Sequence, residues 1–206
     1  MPVLQDNVFY CDHLGASEND ARDILSFSVQ DDRGEGLVNY LQKFAFPDEE
    51  NGTMRTYLVR NNLTSELVGY FSLKAGLVSF NEMKTETGAV FDILPGIELA
   101  NFAVNSEYVS NHPKSKGVGA IIFKHLIVPL VHDVAGRVGV KVLYIFALPF
   151  EGLIKRYVQY GFMRLEAGHE ADVHKWLKPR YDEGCVFMYQ MLQINNRPGT
   201  PMEEKR

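Results

Sequence analysis

The stretch from Glu98 to Leu126 reads ELANFAVNSEYVSNHPKSKGVGAIIFKHL and contains the features from which the fold can be inferred. It begins with an apolar, β-favouring run that predicts a strand ending at Val104. It ends with an amphipathic helical run that starts near Gly117. A glycine turn between a strand and a helix predicts a phosphate site. The reason is that the first helical N–H groups and the helix dipole attract anions, and glycine lets the backbone approach them closely.

The composition is that of a globular protein, with 206 residues of which 46% are hydrophobic and 23% charged. This length predicts one domain over residues 1–194, and the polar residues 195–206, with Pro and Gly, predict a flexible tail. The net charge of −5 argues against a nucleic-acid partner. Two cysteines are too few for a disulfide framework, so reduced thiols are expected.

No basic and apolar leader opens the sequence, which argues against a secretory signal. The longest apolar helical candidate is interrupted by Lys124, His125 and Pro129, so no stretch of membrane-spanning length is expected. These observations predict a cytoplasmic protein without a membrane partner.

Hydrophobic periodicity predicts helices on both sides of a group of strands. The predicted helices are Glu18–Val29, Gly36–Phe44, the run after Gly117, and Phe150–Tyr160 ending at Gly161. The predicted strands are Val8–Cys11, Thr56–Val59, Leu67–Leu73, Ile97–Val104, Val140–Leu148, Phe162–Leu165 and Val186–Leu192. Pro47–Thr53 is expected to be a turn and Asn81–Phe91 a loop or insertion. This order predicts an α/β fold, with a mixed sheet of six to seven strands, a parallel centre and helices on both faces.

Three segments, in this order, resemble the GNAT superfamily of acyl-CoA-dependent N-acyltransferases. The strand 98–104 is similar to the family's fourth strand. The sequence Lys114-x-x-Gly117-x-Gly119-Ala120 is similar to its phosphate turn, and residues 153–162 are similar to the end of its fourth helix, Tyr-x-x-x-Gly-Phe. The resemblance covers roughly Met54 to Leu165.

The resemblance implies that acetyl-CoA binds as co-substrate in a gap between splayed fourth and fifth strands. The pantetheine arm would pair with the end of the fourth strand, and the pyrophosphate would lie on the turn. The cofactor-binding residues implied in this way are Phe102, Ala103, Val104, Lys114, Ser115, Lys116, Gly117, Val118, Gly119, Ala120 and Leu153.

The resemblance also implies direct attack of an amine on the thioester, which needs a base and an acid. Tyr157 matches the family's general acid, and Glu98 matches the base of its histone-acetylating members. Two alternatives remain open from the residues themselves: Tyr157 as a core residue, and Glu98 on the outer face of its strand.

The chain departs from the family pattern at three places. Lys114, a point charge, replaces an arginine or glutamine. The link Asn105–Pro113 is about five residues longer than usual, which suggests a role in gating the cofactor or shaping the acceptor site. Phe150 stands where many members have an asparagine that contacts pantetheine.

The function predicted is transfer of an acetyl group from acetyl-CoA to a primary amine of a small molecule or peptide. Two alternatives stay open: a toxin-like acetyltransferase acting on charged tRNA, and a non-catalytic acyl-CoA sensor. No metal is expected, because His169, Asp172, His174 and Cys185 match no ligand spacing. A homodimer through an edge strand at Val186–Leu192 is a further expectation.

Overall fold

The computed structural model describes the backbone of residues 2–85, 88–115, 117–176 and 184–192, and their side chains outside 80–92, 172, 175 and 176. The predicted tail 195–206 and Lys116 therefore lie outside the described residues. The strands are β1 Leu4–Gln5, β2 Phe9–His13, β3 Arg55–Asn61, β4 Leu67–Thr85, β5 Gly88–Val104, β6 Val142–Ala147, β7 Met163–Arg164 and β8 Val186–Met191.

These strands form one mixed sheet in the order β1-β2-β3-β4-β5-β6-β8-β7, in which only the β5–β6 pair is parallel. The α/β prediction is confirmed, with eight strands in the described chain instead of six to seven. The additional strand β1 has two residues, too few to leave an alternating pattern. Strand β8 pairs with both β6 and β7, so the prediction that Val186–Leu192 forms an edge is wrong.

Helices cover both faces of the sheet. They are α1 Asp20–Asp23, α2 Glu35–Lys43, α3 Ala45–Glu50, α4 Ser106–Asn111, α5 Val118–Ile122, α6 Val128–Arg137, α7 Glu151–Gln159 and α8 Ala167–Trp176. The core has three apolar clusters: a main one under α5, α6 and α7, one under the N-terminal helices, and a smaller one beneath α8.

Two N-terminal predictions were wrong in detail. The expected helix Glu18–Val29 is reduced to α1 and a short 3₁₀ turn. The Asp20 carboxylate accepts backbone N–H groups of the preceding loop, from Gly15 and Ser17, instead of capping a longer helix. The expected turn Pro47–Thr53 begins inside helix α3, because proline is tolerated in the first turn, where its missing N–H has no intrahelical partner.

The predicted loop Asn81–Phe91 is wrong as well, because β4 and β5 form one long antiparallel hairpin. Their register runs from Gly69–Val104 out to Thr85–Gly88, with two irregularities. A polar sequence does not prevent this pairing, since the adjacent strand supplies the backbone hydrogen bonds.

Helix α5, a π-helical turn at Phe123–Ile127 and helix α6 form one continuous helix of 20 residues, Val118–Arg137. Among the described residues it is the one helix long and apolar enough, by length and composition alone, to cross a membrane. The expectation that Pro129 interrupts this stretch was wrong, because the wider π turn just before the proline accommodates it. Its apolar face, including Ile122 and Leu126, is buried in the main core.

Candidate active site

The two parallel strands at the centre of the sheet separate partway along their length. Pairing between β5 and β6 covers Gly96–Glu98 with Val142–Tyr144, whereas both strands continue for several residues beyond it. Next to this point β5 carries a β-bulge with one extra residue, Ala100. Bulges of this kind re-aim side chains near active sites. The strands therefore leave a gap that opens just after Glu98.

The glycine turn lies between α4 and α5 and begins the 20-residue helix. Gly117 has a φ of +82°, a left-handed conformation that favours glycine. The N–H groups of Val118 and Ala120 donate to the carbonyls of Ser115 and Gly117, at 3.3 and 2.8 Å. The positive end of a long helix therefore faces this turn, as the sequence predicts for an anion site.

A cavity of about 440 Å³ separates the turn from α7. It is lined by Val104, Val109, Ser115, Gly117, Val118, Gly119, Ala120, Arg156, Gln159 and Tyr160. Six of these residues were predicted from the sequence. The other four, Val109, Arg156, Gln159 and Tyr160, were not. The i, i+3, i+4 spacing of the last three places them on one face of a helix and was a usable signal.

The remaining predicted cofactor residues have different positions. Phe102 is half-buried. Its ring lies 3.9 Å from the position that a Cβ on Gly119 would take, so Phe102 borders the cavity. Ala103 is buried on the other face of the sheet, Lys114 is exposed outside the cavity, and Leu153 packs against the main core.

The Tyr160 hydroxyl is a buried polar atom with no hydrogen-bond partner among the described residues. Its ring stacks on Phe123, with 4.5 Å between ring centroids, and the side chain lines the cavity. Burial raises the pKa of Tyr160, and the charge of Arg156 opposes that rise. An unpaired hydroxyl and a nearby guanidinium at a helix N-terminus fit a polar, anionic ligand such as the pyrophosphate of acetyl-CoA.

Tyr157 is buried on the side of α7 that faces the sheet, and it does not line the cavity. Its ring packs edge-on against Phe162, with centroids 5.4 Å apart. Helix α7 ends in a Schellman motif, in which Phe162 N–H donates to the Tyr157 carbonyl at 3.0 Å and Gly161 has a φ of +92°. This C-terminal cap fixes the backbone that carries the predicted acid.

Glu98 lies in a row of three side chains that crosses the centre of the sheet. Lys74 is its cross-strand partner on β4, with 3.1 Å between Lys74 Nζ and Glu98 Oε2. Tyr144 is its partner on β6. Burial is the main cause that raises the pKa of Tyr144, and the Glu98 charge adds to it.

The predicted base and acid lie on opposite faces of the sheet. Ile97 and Leu99, on either side of Glu98, are buried in the main cluster together with Tyr157. Because side chains alternate along a strand, Glu98 points to the other face.

Further polar side chains lie beside Glu98 on its face of the sheet. Thr56 and Ser72 share a hydrogen bond of 2.9 Å, and Asn101 Nδ2 donates to Met54 Sδ at 3.5 Å. All three polar residues are buried. The sequence analysis did not identify them, because they are separated in sequence and share no motif.

The segment Asn105–Pro113 is folded. It contains α4, whose N-cap Asn105 accepts the Glu107 N–H at 3.2 Å, and the ring of Tyr108 is buried.

Phe150 lies at the start of α7, where the Arg33 guanidinium stacks 3.6 Å from its ring centre. This contact joins the N-terminal helices to α7.

A second cavity, of about 500 Å³, is lined mostly by polar residues of the N-terminal part and α4. Its buried cation, Arg60, is held by Asp20 at 2.7 Å and Asp23 at 2.8 Å. The charge of Arg60 is therefore already balanced, and this cavity fits an anionic cofactor less well than the one at the glycine turn.

No family model matches the chain. Several solved structures have a similar fold. One of them is the AtaT mutant toxin bound to acetyl-CoA and the C-terminus of the antitoxin AtaR, to which the chain is 17% identical. The TM-score is 0.60, and the match covers 89% of this chain and 92% of that chain. This chain is 16% identical to a mutant of KacT, with a TM-score of 0.60 and coverage of 90% and 95%.

A third similar structure is AtaT complexed with acetyl-methionyl-tRNAfMet, with 17% identity, a TM-score of 0.60 and coverage of 87% and 93%. A KacTA–DNA complex is also among the neighbours. The prediction that a nucleic-acid partner is disfavoured thus loses its support, because a local surface, not the net charge of the chain, determines binding. The sheet order, the gap after Glu98 and these neighbours together show that the chain has the GNAT fold.

Proposed function

We propose that the protein is an N-acetyltransferase that moves an acetyl group from acetyl-CoA to a primary amine. The observation that carries this proposal is the gap between β5 and β6, because the part of β5 that has left β6 after Glu98 runs to Val104, which lines the cavity at the glycine turn. The unpaired Tyr160 hydroxyl in that cavity supports a bound ligand. The similarity to GNAT toxins solved with acetyl-CoA supports the identity of that ligand.

In this proposal the turn at Ser115–Ala120 holds the pyrophosphate through the helix dipole and through backbone N–H groups other than those of Val118 and Ala120, which donate within the turn. Arg156, exposed at the cavity wall, supplies a positive charge. The pantetheine arm pairs with the backbone of Phe102–Val104, where β5 has left its parallel partner.

The chemistry proposed is direct attack without an acyl-enzyme. Glu98 takes a proton from the acceptor ammonium, directly or through a water, and the neutral amine attacks the thioester carbonyl. Tyr157 donates a proton to the departing CoA thiolate. Their positions on opposite faces suit an amine that enters from the Glu98 face and a thioester that enters from the α7 face.

The acceptor we would test first is the amino group of a charged tRNA. AtaT, solved in a complex with acetyl-methionyl-tRNAfMet, has the same fold at low sequence identity. Small amines and peptide amines remain candidate acceptors, and the non-catalytic sensor remains the competing function.

The proposal is tested by following release of free CoA thiol from acetyl-CoA with aminoacyl-tRNA, a peptide with a free N-terminus, and a set of small amines. Turnover with at least one acceptor is expected, together with a loss of about 100-fold or more in Glu98→Gln. Lys155→Arg, on the exposed side of α7, is the matched control and should turn over like the wild type. Binding of acetyl-CoA without transfer to any acceptor would favour the sensor instead.

A further inference from the structure

The ammonium group of Lys74 lies where the proposed reaction needs an amine. Its Nζ is 3.1 Å from Glu98 Oε2, and Glu98 is the last β5 residue paired with β6 before the gap opens. The Glu98 side chain is 12% exposed, and that of Lys74 is 36% exposed. Lys74 therefore reaches the predicted base from a partly open position.

The surroundings of Glu98 hold this arrangement in place. Tyr144 is the partner of Glu98 on β6, on the side of Glu98 opposite to Lys74. Tyr144 packs against two glycines, Gly76 and Gly96, which face each other across the hairpin. A Cβ on Gly76 would lie 1.9 Å from the Tyr144 hydroxyl oxygen, and a Cβ on Gly96 would lie 3.1 Å from the Tyr144 ring. Glu98 thus lies between the ion-paired Lys74 on β4 and the confined Tyr144 on β6.

We propose that Lys74 is an internal acetyl acceptor, modified by acetyl-CoA bound in the same chain. This inference rests on the proposed function. Glu98 accepts a proton from the Lys74 ammonium, and the neutral Nζ attacks the thioester carbonyl. The new C–N bond forms as the C–S bond breaks, and the CoA thiolate takes a proton from Tyr157. The attacking nitrogen loses its second proton to water as the amide forms, and a proton from water restores the Tyr157 hydroxyl. The products are Nε-acetyl-lysine and free CoA.

Acetylation would change the base as well as the lysine. The amide has no positive charge, so the ion pair with Glu98 is lost and the carboxylate becomes available to an external ammonium. In the unmodified protein, Lys74 occupies the position that an acceptor ammonium would take, and the two would compete. The acceptor class expected from this geometry is a primary amine that enters on the face of the sheet that carries Glu98.

The alternative is an ordinary cross-strand ion pair on the surface of a sheet. Lys155 is the matched control for this alternative, because it also pairs with a glutamate, Glu151 at 2.5 Å, but lies on the exposed side of α7. Chemical acetylation by free acetyl-CoA would affect both lysines, whereas the proposed reaction affects Lys74 alone.

The test incubates the full-length protein with isotopically labelled acetyl-CoA and follows each lysine by peptide mass spectrometry. We expect Lys74 to be labelled at least about 100-fold faster than Lys155, with a rate constant independent of protein concentration. The label at Lys74 should be lost in Glu98→Gln and in Gly119→Asp, which adds a negative charge at the phosphate turn. Lys74→Arg keeps the ion pair and should carry no label there.

Equal labelling of Lys74 and Lys155, or labelling of Lys74 that persists in Gly119→Asp, would overturn the proposal. Calorimetric titration with acetyl-CoA separates this failure from that of the proposed function. Cofactor binding and transfer to an external amine, without label on Lys74, would refute only the internal acceptor. An absence of acetyl-CoA binding would refute both.

Discussion

At the scale of single residues, Tyr157 carries the most specific chemical prediction. Tyr157→Phe removes the proposed acid and keeps the ring that packs against Phe162. Turnover is expected to fall by about 100-fold to 10,000-fold, while acetyl-CoA affinity stays the same. Steady-state kinetics and calorimetry on the same preparation measure both quantities. A loss of affinity equal to the loss of turnover would assign Tyr157 to binding or packing.

Cys11 provides a residue-scale test of the core. Burial raises the pKa of its thiol from 9.0 to about 12, a rise that the nearby Asp12 charge increases and a backbone hydrogen bond at Leu4 opposes. The native thiol therefore stays protonated while the unfolded chain ionises near pH 9, so the free energy of unfolding should fall as pH rises from 9 towards 12.

Alkylation by iodoacetamide at pH 9 checks this directly. Cys11 should react slowly in the native protein and rapidly in urea, since only the thiolate is reactive. Peptide mapping distinguishes it from Cys185, which is also buried. Rapid labelling of native Cys11 would contradict the buried position of strand β2.

At the scale of elements, the β4–β5 hairpin positions the row of Lys74, Glu98 and Tyr144. Gly76→Ala would place a methyl carbon 1.9 Å from the Tyr144 hydroxyl oxygen. The expected cost is about 1–3 kcal/mol of the free energy of unfolding, because this buried ring has little room to move. Urea unfolding measures the change.

The matched control is Gly136→Ala on helix α6, where no atom lies within 4 Å of the new Cβ. There the free energy of unfolding should rise by about 0.5–1 kcal/mol, because alanine favours a helix more than glycine does. Equal stability of the two variants would mean that Tyr144 does not fill the space between the glycines.

At the scale of the whole molecule, the parts predicted correctly were those with strong local signals. The central strand, the glycine turn and the end of α7 each combine periodicity with special residues such as Gly117 and Gly161, whose positive φ values the structure shows. The long hairpin was missed because pairing between its strands outweighs the local polarity of the sequence. Helix α3 was missed because helix packing outweighs the presence of a proline.

The candidate site was predicted only where it is local in sequence. The turn residues Ser115, Gly117, Val118, Gly119 and Ala120 line the cavity as expected. The opposite wall, with Arg156 and Tyr160, and the ion pair of Lys74 with Glu98 arise from contacts between distant segments. The spacing of Arg156 and Tyr160 shows that they share a helix face, but nothing in the sequence shows that this face lies opposite the turn or that Lys74 meets Glu98, so only the folded chain shows these contacts.

The central claim is that the glycine turn binds acetyl-CoA, and calorimetric titration tests it most directly. The wild type should bind with micromolar affinity, and Gly119→Asp should abolish binding. Aspartate in the first helical turn favours the helix, so folding is retained while the cofactor phosphates are repelled. Gly139→Asp, with no atom within 4 Å of its Cβ, adds the same charge elsewhere and should bind like the wild type. Absence of binding in the wild type, or unchanged binding in Gly119→Asp, would contradict the account.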